Sequence, residues 1–168
     1  MPDSRVRQNV LSVLAMAGIS EAPVDIELVA KTLGFHIMPH AFPNKLKGMV
    51  HIEDGLKVIG VNNTYSTVAQ RFTVAHELGH YLCGHEHFEN TFVDDERRYY
   101  EPYFHTEKEA DAFASELLMP KHMIEKDVSK HGLDISWLKE RYQVSEQALW
   151  IRITTLRLGE KYSHIKRS

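Results

Sequence analysis

The chain has 168 residues, 43% hydrophobic and 26% charged, the ordinary globular range and enough for one well-buried domain or one domain with a small helical appendage. A formal net charge of −3 gives no support for nucleic-acid or membrane binding through bulk charge. Its one cysteine, Cys83, excludes an intramolecular disulfide and points to a reducing compartment. No segment approaches the roughly 18 consecutive apolar residues of a membrane span. Arg5 and Arg7 precede an apolar stretch near the start, but Asn9 and Ser12 interrupt it and no small-x-small cleavage site follows, so a cytoplasmic protein is expected.

In chain order, Val6, Val10, Leu14 and Ala17 form one stripe of a first helix. A second helix is predicted over 25–33, with Asp25 as N-cap and Gly34 as its stop. Residues 35–38 alternate as a strand. Two further strands, 48–52 and 56–61, flank Glu53-Asp54-Gly55, where Asp-Gly between apolar runs signals a hairpin. A long helix starts at Thr67, with Gln70 completing a capping box, and stops at Gly84. Residues 85–105 read as a long polar and aromatic loop. Another helix runs over 106–119, and Pro120 ends it and opens the next, which Gly132 closes. Helices over 135–142 and 145–158 complete an α+β plan. It comprises a small antiparallel sheet on a central helix, a core over 1–131 and a helical C-terminal subdomain over 132–168.

The central helix carries the chemistry. In Ala75-His76-Glu77-Leu78-Gly79-His80 the two histidines are four residues apart and project from one helix face. Two ring nitrogens at that spacing reach one Zn2+ at about 2.0–2.1 Å. Glu77 then lies beside the metal, where a carboxylate serves as general base toward water and later as proton donor to a leaving amine. Phe72, Val74, Ala75, Leu78 and Leu82 make most of the helix apolar and hence buried. Gly79 costs about 1 kcal/mol in a helix interior, so it predicts a neighbour passing close to the backbone.

A zinc hydrolase requires a third protein ligand and one open position. A histidine in the H-E-x-x-H-x-x-G-x-x-H spacing fails, because Cys83 and Glu86 occupy the glycine and last histidine positions. A glutamate from a downstream helix is the other route, and Glu107 and Glu109 are the candidates. Glu109 would be the N3 residue of a capping box begun by Thr106. Glu107 shares a face with Asp111, Ala110 and Ala114, whose small alanines permit close packing on the histidine helix. Glu107 is therefore the preferred ligand and Asp111 the acceptor for a histidine N–H, with Glu109 left as the alternative.

These strings, with Glu107-x-x-Ala110-Asp111-x-Phe113-Ala114-x-x-Leu117-Leu118-Met119-Pro120 and the weaker Val144-Ser145-x-x-Ala148 followed by Arg152, resemble the ImmA/IrrE family of metallo-endopeptidases over residues 23–158. The resemblance implies a gluzincin-like site of two histidines and a glutamate, and so supports Glu107. Asp111 stands where relatives often have Asn; either accepts a hydrogen bond. The resemblance also implies a partner: a helix-turn-helix (XRE-type) repressor of a phage or mobile element, or of a stress response, as the protein substrate. The hairpin before the histidine helix offers an edge along which an extended peptide could add as a strand.

Residues 138–145 resemble the turn of a helix-turn-helix, and Lys139, Arg141, Arg152, Arg157, Lys161, Lys166 and Arg167 make this end basic. DNA binding is the weaker reading, because Gln143 and Lys139 replace the usual glycine and alanine, and Leu149, Trp150, Ile153 and Leu156 look like packing residues. The rival function is a non-catalytic zinc-containing regulator that binds DNA or a repressor through these helices. Tyr99, Tyr100, Tyr103 and His105 are candidate oxyanion donors. Cys83 reads as a small buried hydrophobe.

Overall fold

The computed structural model describes residues 4–43, 46–85 and 101–162, with side chains from residue 104 in the last segment. Helix α1 (Ser4–Met16) buries Val6, Val10, Val13 and Leu14: the expected stripe gains Val13 and loses Ala17, which lies past the helix end and is half-buried. Helix α2 (Ile26–Thr32) is capped by Asp25, whose side chain accepts from Leu28 N. Three strands follow: β1 (Phe35–His40), β2 (Gly48–Glu53) and β3 (Leu56–Asn62). The Asp-Gly turn has positive φ at both residues, 48° and 84°, the geometry that matches the twist of a two-residue hairpin.

The α+β architecture is as expected, but the sheet is mixed. The strand order is β1-β3-β2, with β3 antiparallel to β2 and parallel to β1. The cause is that β3 takes the central place. Its last four residues, Ile59, Gly60, Val61 and Asn62, are all buried, so it gains most from a neighbour on each side. The chain must therefore reach the far edge at β2 before the hairpin returns it between the two. Buried Asn62 secures that crossing: its Nδ2 donates to Leu46 O at 2.7 Å, and its Oδ1 accepts from Thr64 N at 3.1 Å. A residue read from sequence as a strand breaker thus ends β3 and ties down the loop before β2.

Helix α3 (Thr67–Cys83) packs across the sheet and buries every residue from 73 to 80. Its N-cap is Ser66, accepting from Ala69 N at 3.3 Å, one residue earlier than the expected capping box, and Gln70 bonds Tyr65 O instead. Gly84 closes the helix in the left-handed conformation, φ 70°, as expected.

Helix α4 (Glu101–Leu118) lies against α3 and starts five residues before the expected position, so Thr106 is inside it rather than at its N-cap. Its buried face is Ala110, Phe113, Ala114, Leu117 and Leu118. Gly79 is where the two helices meet. A Cβ there would lie 3.1 Å from Ala110 O and from Phe113 Cβ, which accounts for a glycine in mid-helix.

Helices α5 (Lys121–His131), α6 (Ile135–Tyr142), α7 (Glu146–Thr155) and α8 (Leu158–Tyr162) complete the chain. Asp134 and Ser145 cap α6 and α7. Gln143, at the turn position where glycine is usual, adopts φ 52°. Leu149, Ile153 and Leu156 pack inward as expected, whereas Trp150 is 48% exposed. Arg152, counted above among the basic residues of this end, is only 1% exposed. Its Nε donates to Met119 O, and its guanidinium pairs with buried Glu116 on α4. No helix among the described residues is long and apolar enough to cross a membrane.

Candidate metal centre

His76 and His80, one turn apart on α3, bring their Nε2 atoms to 3.0 Å of each other. Glu107 reaches both from α4, with Oε2 3.3 Å from His76 Nε2 and Oε1 3.1 Å from His80 Nε2. Three ligand atoms about 2.0–2.1 Å from one tetrahedral ion would stand about 3.3 Å apart, and the observed 3.0–3.3 Å is that spacing. The electrostatics agree. Two buried ring nitrogens at this distance can share a proton or hold a cation between them, and the carboxylate supplies compensating charge for either.

His76 shows the demand for a cation most clearly. Burial lowers its pKa, but hydrogen bonds with Asp111 and Glu107 outweigh that and raise it to about 10. Glu107 is subject to burial, which pushes it up, yet its bonds to both histidines hold it well below the usual carboxylate range. Asp111, one turn beyond Glu107, accepts from His76 Nδ1 at 2.8 Å. In the neutral ring that bond keeps the proton on Nδ1, so that loss of the other proton frees the His76 Nε2 lone pair.

Glu77 lies beside this cluster without joining it. It is 1% exposed, and its Oε2 has no hydrogen-bond partner among the described residues. Burial, opposed by His76 and aided by the negative charge of Glu107, raises its pKa to about 7, where a carboxylate is suited to accept and return a proton near neutrality. The start of β2 forms one wall beside it. A Cβ at Gly48 would overlap Thr73 Cγ2 and lie 3.8 Å from Glu77 Oε1, so glycine keeps the strand close to the carboxylate.

The structure therefore brings His76, His80, Glu107, Glu77 and Asp111 together. Glu109, two residues from Glu107 and so on a different face of α4, lies 2.9 Å from His85 Nε2 and pairs with Arg5. It is not at the histidine pair. The expected helix cap involving Glu109 is absent because α4 starts earlier. Of the oxyanion candidates, His105 is exposed on α4, while Tyr99, Tyr100 and the Tyr103 side chain lie outside the described residues. Cys83 is part-buried rather than a core residue.

Sequence reasoning missed Gly48, Thr73 and His85. Thr73 was legible as the residue one turn before Glu77. Gly48 becomes visible only when the strand meets the helix. A cavity of about 460 Å3 adjoins this site. Its walls include Thr73 and Phe72 of α3, Asp111 of α4, and Ala148 and Ile151 of α7.

The model of the IrrE N-terminal-like domain, the M78 peptidases, matches residues 30–154. The chain belongs to the M78 peptidase family. Among solved structures, a Mycobacterium tuberculosis transcriptional regulator has the same fold, with a TM-score of 0.65 at 20% identity over 92% of this chain. The chain spans 46% of that protein's length. A comparison with curated proteins finds no match. In the M78 setting the His76, His80 and Glu107 cluster is a candidate metal site.

Proposed function

We propose that this M78 chain is a zinc-dependent endopeptidase of the cytoplasm whose substrate is a helix-turn-helix repressor of the XRE type. The observation that carries the catalytic part is the arrangement of Glu77: buried, without a partner at Oε2, and one residue from a histidine pair closed by Glu107. A structural zinc site needs no spare carboxylate beside it.

His76, His80 and Glu107 would hold the ion, with Asp111 orienting His76. When bound, zinc supplies Lewis-acid polarisation of the scissile carbonyl and lowers the pKa of water. Glu77 does the proton work, taking a proton from the attacking water and delivering it to the departing amine nitrogen. Strand β2 is an edge of the sheet and begins at Gly48 beside Glu77, so a substrate strand added there passes the carboxylate. The neighbouring cavity, walled largely by apolar groups, accepts substrate side chains. The repressor as target rests on the family resemblance.

The rival DNA-binding regulator loses support from Arg152, whose guanidinium is spent on Glu116. The test is zinc content by mass spectrometry together with cleavage of a purified XRE-type repressor. Wild type should carry one zinc and cleave, Glu77→Gln should keep zinc without cleaving, and Glu107→Ala should lose zinc. Normal cleavage by Glu77→Gln would refute the mechanism. A wild type that takes up no zinc would remove the metal reading altogether.

A further inference from the structure

His76 has a carboxylate behind it in Asp111, whereas His80 is followed by something longer. His80 Nδ1 lies 2.8 Å from Nδ1 of His85, and His85 Nε2 lies 2.9 Å from Oε2 of Glu109. Glu109 is in turn paired with Arg5 of α1. His80 and His85 are 3% and 8% exposed, so this chain of bonds begins in the interior and reaches the surface at Arg5. Gly84 makes it possible: its left-handed conformation turns the backbone sharply, and His85 N bonds back to His80 O at 3.1 Å.

We infer that His85 and Glu109 are positioning residues for His80, forming an imidazole-carboxylate relay that does for this ligand what Asp111 does directly for His76. The inference rests on the proposed metal role of His80. Proton placement follows from the bonds. If His80 uses Nε2 as its ligand atom, its neutral ring carries the proton on Nδ1 and donates it to His85 Nδ1. His85 Nδ1 is then an acceptor, so its own proton is on Nε2 and is donated to Glu109. Each proton has one acceptor, and the negative end of the relay is the Glu109 carboxylate held by Arg5. The relay thereby fixes the ring plane of His80 and increases its basicity toward an ion.

A competing use of the same atoms is a second ion. Cys83, His85 and Glu109 place ligand atoms within 4.8 Å of one another. The proton pattern disfavours it. An ion on His85 Nε2, with Nδ1 already accepting from His80, would require His85 to lose both ring protons. An ion on Nδ1 would break the bond to His80.

The test is zinc affinity by chelator competition and zinc stoichiometry, on wild type, Glu109→Ala, Glu109→Gln, His85→Phe and Cys83→Ser. Thermal unfolding after chelation serves as the control for folding. Outer-shell partners of this kind typically contribute about 10–100-fold in metal affinity. Glu109→Ala and His85→Phe should weaken zinc binding in that range. Glu109→Gln, which keeps an acceptor oxygen, should recover part of the loss, and Cys83→Ser should bind as wild type does. A further readout is the visible spectrum of the cobalt-substituted protein, which should shift in His85→Phe because His80 is no longer fixed in orientation.

Equal affinity and spectra in Glu109→Ala, His85→Phe and wild type would overturn the relay while leaving the zinc site itself intact. Two zinc ions per chain, one of them lost in Cys83→Ser, would replace it with the second-ion reading. Failure of the wild type to bind zinc would overturn the metal site and the relay together.

Discussion

Replacing Gly79 by alanine sets two effects of similar size against each other. Alanine is favoured over glycine in a helix interior by about 1 kcal/mol, so on helix propensity alone Gly79→Ala is stabilising. The new methyl would meet Ala110 O at 3.1 Å, Phe113 Cβ at 3.1 Å and Ala110 Cα at 3.2 Å, against roughly 3.5–4.0 Å for an unstrained carbon contact. None of these atoms can rotate away: two belong to the α4 backbone and the third is a Cβ. The helices must instead separate by a few tenths of an ångström, and overpacking of this kind costs about 1–3 kcal/mol. The net expectation is a loss of about 0–2 kcal/mol, or a fall in Tm of up to about 8 °C for a domain of this size.

The proposed metal site should register the shift more strongly. Glu107 is one turn from Ala110, so any separation moves its carboxylate away from the two ring nitrogens 3.1 and 3.3 Å distant. Thermal unfolding and zinc competition on the same variant check both parts. A raised Tm with unchanged zinc affinity would show that α3 and α4 are not in close contact at Gly79, and would refute the reasoning.

The other predictions concern single groups. Asp111→Ala should weaken zinc binding about 10–100-fold without loss of fold, since this side chain is half exposed; chelator competition checks it. Glu77, raised from 4.5 to about 7 by burial, is disfavoured as an anion in the folded protein. After chelation, wild type and Glu77→Gln should match in stability below pH 4.5. Glu77→Gln should then pull ahead as pH rises toward about 7, read as the difference in urea midpoint across pH. Arg152→Ala takes the guanidinium from buried Glu116, which keeps Lys121 N at 3.0 Å and Arg7 Nε at 3.9 Å, and should cost about 3 kcal/mol; a Tm within 2 °C of wild type, roughly 1 kcal/mol at this size, would contradict the burial of the pair.

Elements with local causes were legible in the sequence. The stripe of α1, the Asp25 and Ser145 caps, the Asp-Gly turn and the Gly84 stop all depend on residues a few positions apart, and all appear in the structure. Pairing of His76 with His80 is local in the same sense. What failed depended on choices between near-equivalent signals or on distant segments. Ser66 and Thr67 are adjacent hydroxyls, and either could cap α3. The parallel pairing of β1 with β3 follows from the burial of β3, a property of the assembled core. Lys139 and Arg152 look alike in a count of basic residues, yet only Arg152 meets Glu116 across 36 positions of chain. The Glu109–His85 bond spans 24 positions, and Glu109 resembled a helix cap only while α4 was expected to start at Thr106.

Two long-range features, the Arg152 brace and the cavity wall, bear on one question, the purpose of the C-terminal helices. Arg152 fastens α7 to α4 through Glu116 and to the end of that helix through Met119 O. Ala148, one turn before Arg152, and Ile151 beside it line the cavity whose opposite wall is Phe72 and Thr73 of the histidine helix. A DNA-reading helix needs its basic face free for phosphates and base edges. Here the single basic residue of α7, Arg152, is turned inward and braces the helix, while Ala148 and Ile151 line the cavity that Thr73 and Asp111 also border. The same helix that gave this end its helix-turn-helix likeness therefore serves, in the folded protein, as one side of the space next to the candidate metal centre.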